Sequence, residues 1–229
     1  MIKAVFLDFY GTVVHEDNVI VKEITQKIFA TGNVEKQSDI NAYWWNCFQN
    51  EFQKSNGESF KTQRELELIS LQNTILYFKS TEDASKLSKL LFEFWMKPTI
   101  FEDSKTFFEL CPVPIIIVSN IDTHDIIEAL TYHGLQPYGV VTSEEARAYK
   151  PQAVMFNYAL KKYDLKADEV VHIGDSVTSD VLGAKAAGID SIWLNRFGKP
   201  VPDGVDTVAA NLIDVLKLKC FKNVKSLTP

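Results

Sequence analysis

The 229-residue chain reads as an α/β protein, a parallel β-sheet covered by helices, with a separate all-helical insertion near its N-terminus. Three observations predict this. Apolar runs of strand length recur at Ala4–Leu7, Ile115–Val118, Gly139–Thr142, Val170–Ile173 and Ser191–Leu194. Stretches with helical spacing alternate with them, at Ser104–Leu110, Thr123–His133, Ala153–Tyr163 and Thr178–Ala187. Between Val19 and Trp95 no comparable strand pattern occurs.

Taken in order, Ala4-Val5-Phe6-Leu7 is too short and too bounded for a helix. The chain then reads Asp8-Phe9-Tyr10-Gly11-Thr12, where Gly11 permits a sharp exit and leaves Asp8 at the carboxyl end of a buried strand. The insertion reads as about four helices. Ile20, Ile24 and Ile28 with Phe29 give helical spacing, as do Leu66, Ile69, Asn73, Leu76 and Tyr77, then Leu87, Leu90, Leu91, Phe94 and Trp95. Pro98 closes it. The second strand runs into Ser119-Asn120, and Asp122 or Thr123 is placed to cap the helix after it. In Ala148-Tyr149-Lys150-Pro151 the proline biases Lys150 toward extended backbone, ending one segment before the helix from Ala153. The fourth strand runs into Gly174-Asp175-Ser176, with Asp180 five residues beyond Asp175.

Composition narrows the class. A chain of this length with 46% hydrophobic residues can bury one substantial core and a smaller satellite. A net charge of −6 argues against a nucleic-acid partner. The longest apolar runs are strand-sized and the first strand begins at once, so neither a membrane segment nor a leader is expected and a cytoplasmic location is the default. Cys47, Cys111 and Cys220 are odd in number and widely spaced, which reads as reduced, packed thiols. Lys217, Lys219, Lys222 and Lys225 read as a solvated basic tail.

Four strand ends thus carry an acid, a hydroxyl, a lysine and an acid pair. A carboxylate such as Asp8 can form a covalent ester and split one hard displacement into two easier ones. Lys150 supplies a compact positive charge for an anionic substrate. Ser119 and Asn120 can hydrogen-bond transferring oxygens or orient the lysine.

In order and type, these motifs resemble those of the haloacid dehalogenase (HAD) superfamily of hydrolases. The matches fall at residues 8 to 12, 119 to 120, 150 to 151 and 174 to 180, with supporting matches at Gly183-Ala184, Gly188 and Asn195-Arg196. The resemblance implies a Rossmann-like three-layer core formed by residues 1–14 and 100–229, with a small helical cap domain at residues 15–99 that closes over the site and selects substrate. It implies catalytic roles for Asp8 as nucleophile and for Tyr10, Ser119 and Lys150. Mg²⁺ would be held by Asp8, the Tyr10 carbonyl, Asp175 and Asp180, hard oxygen donors that suit this ion. Candidate substrate contacts are Thr12, Asn120, Arg64 and, in the aromatic-rich segment Tyr43–Phe48, Trp44 or Trp45. The expected partner is a small anionic molecule, and the chain a monomer or homodimer.

One position departs from the phosphatases of that superfamily, which carry a second Asp as general acid and base where this chain has Tyr10. Such proton transfer is worth roughly 10²- to 10⁴-fold in rate. Asp-x-Tyr-Gly-Thr is instead the form found in 2-haloacid dehalogenases, which use no metal. Asp175 votes the other way, because a second carboxylate facing Asp8 repels a haloacid anion unless a cation lies between them. The cap arginine of those dehalogenases also has no counterpart between Glu35 and Phe52; the chain's arginines are Arg64, Arg147 and Arg196. A Mg²⁺-dependent phosphatase-like hydrolase is therefore expected, ahead of a metal-independent dehalogenase-like one and of a weakly active binding relative.

Overall fold

The computed structural model describes residues 1–16 and 18–222. In chain order its elements are β1 (Ala4–Leu7), α1 (Asn18–Thr31), α2 (Gln37–Lys54), α3 (Gln63–Tyr77), α4 (Ala84–Met96), α5 (Ser104–Leu110), β2 (Ile115–Ser119), α6 (Thr123–His133), β3 (Gly139–Thr142), α7 (Ser143–Ala146) and α8 (Ala153–Lys162). They continue with β4 (Val170–Gly174), α9 (Gly183–Ala186), β5 (Asp190–Leu194), β6 (Val208–Ala209), α10 (Leu212–Val215) and α11 (Lys219–Lys222). The described residues divide into two compact units: residues 1–15, 99–120 and 133–222, and residues 16–98 with 121–132.

The first unit is a Rossmann-like α/β core. Its six strands run in the order β3-β2-β1-β4-β5-β6, with every adjacent pair parallel. In register, Phe6 lies between Ile116 on one side and His172 on the other. β1, β2 and β4 are buried along their whole length, which is why their sequences read as continuous apolar runs rather than alternating ones. Ala4, Phe6, Ile116, Val118 and Val170 pack with Met155, Phe156 and Ala159 of α8 and Ala184 of α9 into one core cluster. Strand order reverses at β1, so the carboxyl ends of β1 and β4 form a topological switch point, where sheets of this kind bind ligands.

The alternation anticipated five of the six strands. β6 escaped because two residues carry no periodicity. The helix expected over Thr178–Ala187 is a wide π-type turn at Val177–Leu182 running into the single-turn α9. At the outer strand β3, the Val140 carbonyl accepts hydrogen bonds from Lys162 Nζ at 3.0 Å and the Tyr163 hydroxyl at 3.4 Å. Gly139 leaves room beside them, since a Cβ there would run into the Tyr163 hydroxyl unless that ring shifted.

The second unit is helical. α2 packs on α1 and α3, and α4 packs on α1 and α3. Trp44 is buried inside it and donates Nε1–H to Ser70 Oγ at 3.1 Å. α3 buries Leu66, Ser70, Leu71, Thr74 and Ile75, whereas Leu76 and Tyr77 lie exposed. The apolar spacing had pointed to the latter face; Ser70 and Thr74 occupy the seam because their hydroxyls bond to backbone carbonyls of the preceding turn. Thr62 and Glu65 form a capping box at the start of α3. The same terminus binds Asp122, whose two carboxylate oxygens accept from the Gln63 and Arg64 amides at 2.8 and 2.9 Å. Asp122, which with Thr123 was a candidate cap for the helix after β2, serves the start of α3, and residues 121–132 group with the helices.

None of the described helices is long and apolar enough to cross a membrane. Cys47, Cys111 and Cys220 are unpaired and partly buried. Of the basic tail, Lys217 pairs with Asp214 at 2.6 Å, and Lys225 lies outside the described residues.

Candidate active site

The strand ends of the core unit bring the motif residues together. Asp8 follows β1 directly, its amide bonded to the Ile173 carbonyl at 2.9 Å. The backbone then turns back, with Val13 and Val14 both donating to the Phe9 carbonyl. Gly11 takes a φ of +86°, and a Cβ there would lie within 2.6 Å of the Asp175 carboxylate, so glycine is required twice over. Arg196 fastens this turn, donating to the Thr12 carbonyl at 2.6 Å and to both oxygens of Asp103 at 3.1 Å while lying over the Phe101 ring.

Lys150 is the hub. Its Nζ donates to Asp8 Oδ1 at 2.6 Å and to Asp180 Oδ1 at 2.7 Å, with all three side chains buried. Asn120 grips the lysine's own backbone from both sides, accepting from its amide at 2.7 Å and donating to its carbonyl at 3.0 Å. Ser119 is buried at the end of β2, next to Thr142 in register, and its hydroxyl has no hydrogen-bond partner among the described residues. Asp175 opens the loop after β4. Its carbonyl accepts from Trp193 Nε1 at 2.8 Å, and its Oδ1 faces the Thr12 hydroxyl at 3.4 Å.

Asp180 carries three hydrogen bonds. Besides Lys150, Oδ1 accepts from the His172 ring at 2.9 Å and Oδ2 from the Ser176 amide at 2.9 Å. A Cβ on Gly174 would collide with the Asp180 carboxylate, so glycine there makes the room. One oxygen each from Asp8, Asp175 and Asp180 lie within 4.8 Å of one another.

The electrostatics separate the two acids that share the lysine. Burial pushes Asp8 up to about 6 against the pull of Lys150, and the neighbouring Asp180 adds to the rise. Burial would raise Asp180 too, but Lys150 and the His172 hydrogen bond outweigh it and hold that carboxyl below its ordinary range. Burial opposes the charge on Lys150, yet Asp180 and Asp8 together keep its pKa above the usual lysine value. Burial lowers His172, with Asp180 opposing. Fully ionised, three carboxylates and one ammonium leave two negative charges in excess, and the donors are all hard oxygens. That donor set and charge suit a divalent cation such as Mg²⁺.

The candidates divide between the two units. Asp8, Tyr10, Thr12, Ser119, Asn120, Lys150, Asp175 and Asp180 belong to the core unit. Trp44 and Arg64 belong to the helical one. Arg64 makes a bidentate pair with the fully buried Asp125 and lies over the Phe92 ring at 4.5 Å. Two residues escaped sequence reasoning, His172 and Trp193. The signal for the first was a titratable residue inside an otherwise apolar strand; for the second there was none, since a Trp in a strand reads as core.

A family model of haloacid dehalogenase-like hydrolases matches residues 2–188. The chain belongs to this family. It is 31% identical over 122 residues to the phosphoglycolate phosphatase of Photobacterium profundum, covering 49% of this chain and 53% of that one. It is 32% identical over 106 residues to YfnB of Bacillus subtilis, covering 44% and 45%. The chain spans about half the length of these curated relatives. The solved structure of YfnB bound to magnesium has a TM-score of 0.74 to this HAD chain at 19% identity, over 94% of this chain and 97% of that one. The L-2-haloacid dehalogenase of Xanthobacter autotrophicus also gives 0.74, at 18% identity over 95% and 98%. At these identities the likeness is one of fold.

Proposed function

We propose that this HAD chain is a Mg²⁺-dependent phosphatase-like hydrolase of the cytoplasm, acting on a small phosphorylated metabolite through an aspartyl-phosphate on Asp8, with the helical unit as its cap. The observation that carries the reading is the meeting of Asp8, Asp175 and Asp180 within 4.8 Å around one buried lysine. The phosphatase among the relatives supports it.

In the first step an Asp8 oxygen attacks phosphorus, and the bond to the leaving oxygen breaks with its electron pair going to that oxygen. In the second, water attacks the phosphorus of the aspartyl-phosphate, Asp8 is regenerated as carboxylate, and inorganic phosphate departs. Lys150 offsets the negative charge that Asp8 meets on the substrate, and Ser119 is free to donate to a phosphoryl oxygen. Asp8, the Tyr10 carbonyl and Asp175 would hold Mg²⁺, with Asp180 ordering them from behind as its three hydrogen bonds suggest. Bound there, the ion would supply charge neutralisation for the transferring phosphoryl group. The fixed position of Asn120 on the Lys150 backbone favours an orienting role over substrate contact, and the internal partners of Trp44 and Arg64 favour structural ones.

Tyr10 favours a second reading, a metal-independent dehalogenase, but the Asp175 carboxylate beside Asp8 opposes it. Two of the three arginines, Arg64 and Arg196, are also already engaged with Asp125 and Asp103. A screen of aryl, acyl and alkyl phosphates with and without Mg²⁺, run beside halide release from 2-chloropropionate, tests both. Mg²⁺-dependent phosphate release is expected; halide release indifferent to Mg²⁺ would replace this reading with the second.

A further inference from the structure

We infer that His172 is a positioning residue of this site, one that fixes Asp180 and through it aims Lys150 at Asp8; its kinetic consequence rests on the phosphatase reading above. The ring is fully buried in the middle of β4, between Val171 and Ile173, where an aliphatic side chain would pack without desolvating a polar group. Its environment explains the exception. Nε2 lies 2.9 Å from Asp180 Oδ1, the same oxygen that takes Lys150 at 2.7 Å. Nδ1 has no hydrogen-bond partner among the described residues. Asp180 is held ionised by Lys150 and can only accept, so the ring carries a proton on Nε2 and donates it to Asp180.

The arrangement leaves Asp180 no freedom to rotate. Oδ2 is held by the Ser176 amide, Oδ1 by the imidazole, and the ring itself is set edge-on against Phe156 with centroids 5.0 Å apart. Lys150 then meets Asp180 through Oδ1 and has its remaining reach directed at Asp8. Without the imidazole, the Asp180 carboxylate is held by the Ser176 amide alone and can turn about it, drawing the ammonium away from Asp8. A group that orients a group in this way is typically worth about 10- to 100-fold in activity.

The test compares His172→Leu with His172→Gln, whose amide nitrogen reaches close to the position of Nε2. Crystal structures of the two variants are expected to show Asp180 rotated in the first and unchanged in the second. On an aryl phosphate with Mg²⁺, kcat of His172→Leu should fall about 10- to 100-fold with KM little altered, and His172→Gln should recover most of the loss. Should His172→Leu not fold, His172→Asn takes its place, because its shorter amide cannot reach Asp180 and a purely structural role would not separate Asn from Gln. An unmoved Asp180 in His172→Leu, or equal activity across the variants, overturns the inference. If the wild-type protein hydrolyses no phosphate ester, the phosphatase reading falls, and the position of Asp180 in the variant crystals still decides this one.

Discussion

Asp8 and Asp180 share one ammonium, but Asp180 is also held by the His172 ring and the Ser176 amide, and burial leaves Asp8 the more readily protonated of the two. Asp8, at the end of β1 and against Lys150, is the proposed nucleophile, and Asp8→Asn is expected to abolish turnover while the melting temperature stays near that of the wild type. Near wild-type phosphate release from that variant would refute covalent catalysis by Asp8. Tyr10 gives a second prediction. A phenol is a weaker proton donor than a carboxylic acid, so aryl and acyl phosphates should be cleaved and alkyl phosphates poorly. Tyr10→Asp should raise the rate on alkyl phosphates, and fast wild-type turnover of a sugar phosphate would sink the argument. Asp8 and Asp175 were legible because each directly follows a buried apolar strand, and a parallel sheet gathers such ends on one side; Lys150 and Asp180 were legible from the motifs they belong to. The internal engagement of Arg64 and Trp44 was not, because Asp125 and Ser70 lie 61 and 26 residues away from them in sequence.

At the scale of elements, the strands were easy to read and the helix ends were not. A strand buried on both faces announces itself by composition alone, whereas the wide turn after β4, which brings Asp180 over Gly174, leaves no mark in the apolar spacing. The start of α3 makes the same point: its amides are served by Thr62 within the helix and by Asp122 from another segment. Removing that second partner leaves two amides of the first turn without their carboxylate. Asp122→Ala should therefore destabilise the protein by about 1 to 2 kcal/mol, the range of a lost helix cap, and raise proton exchange at Gln63 and Arg64. Unchanged stability and exchange would mean that water replaces the carboxylate at no cost.

For the molecule as a whole, a ligand that binds only the folded chain adds to its stability by mass action. Mg²⁺ at one hundred times its dissociation constant should stabilise the wild-type protein by about 2.7 kcal/mol, and the same concentration should do little for Asp175→Ala. Equal thermal shifts in the two proteins would exclude Asp175 from the metal site. The sheet that carries this site also has two ends. One is β6, only two residues long, and the other is β3, whose Val140 carbonyl is already taken by Lys162 and Tyr163. Short or occupied outer strands are poor templates for a strand from another molecule. The pair Lys162 and Tyr163 therefore guards the protein against fibre-like stacking at high concentration, and replacing both with alanine should quicken aggregation on mild heating, followed by light scattering, well before it alters phosphate release.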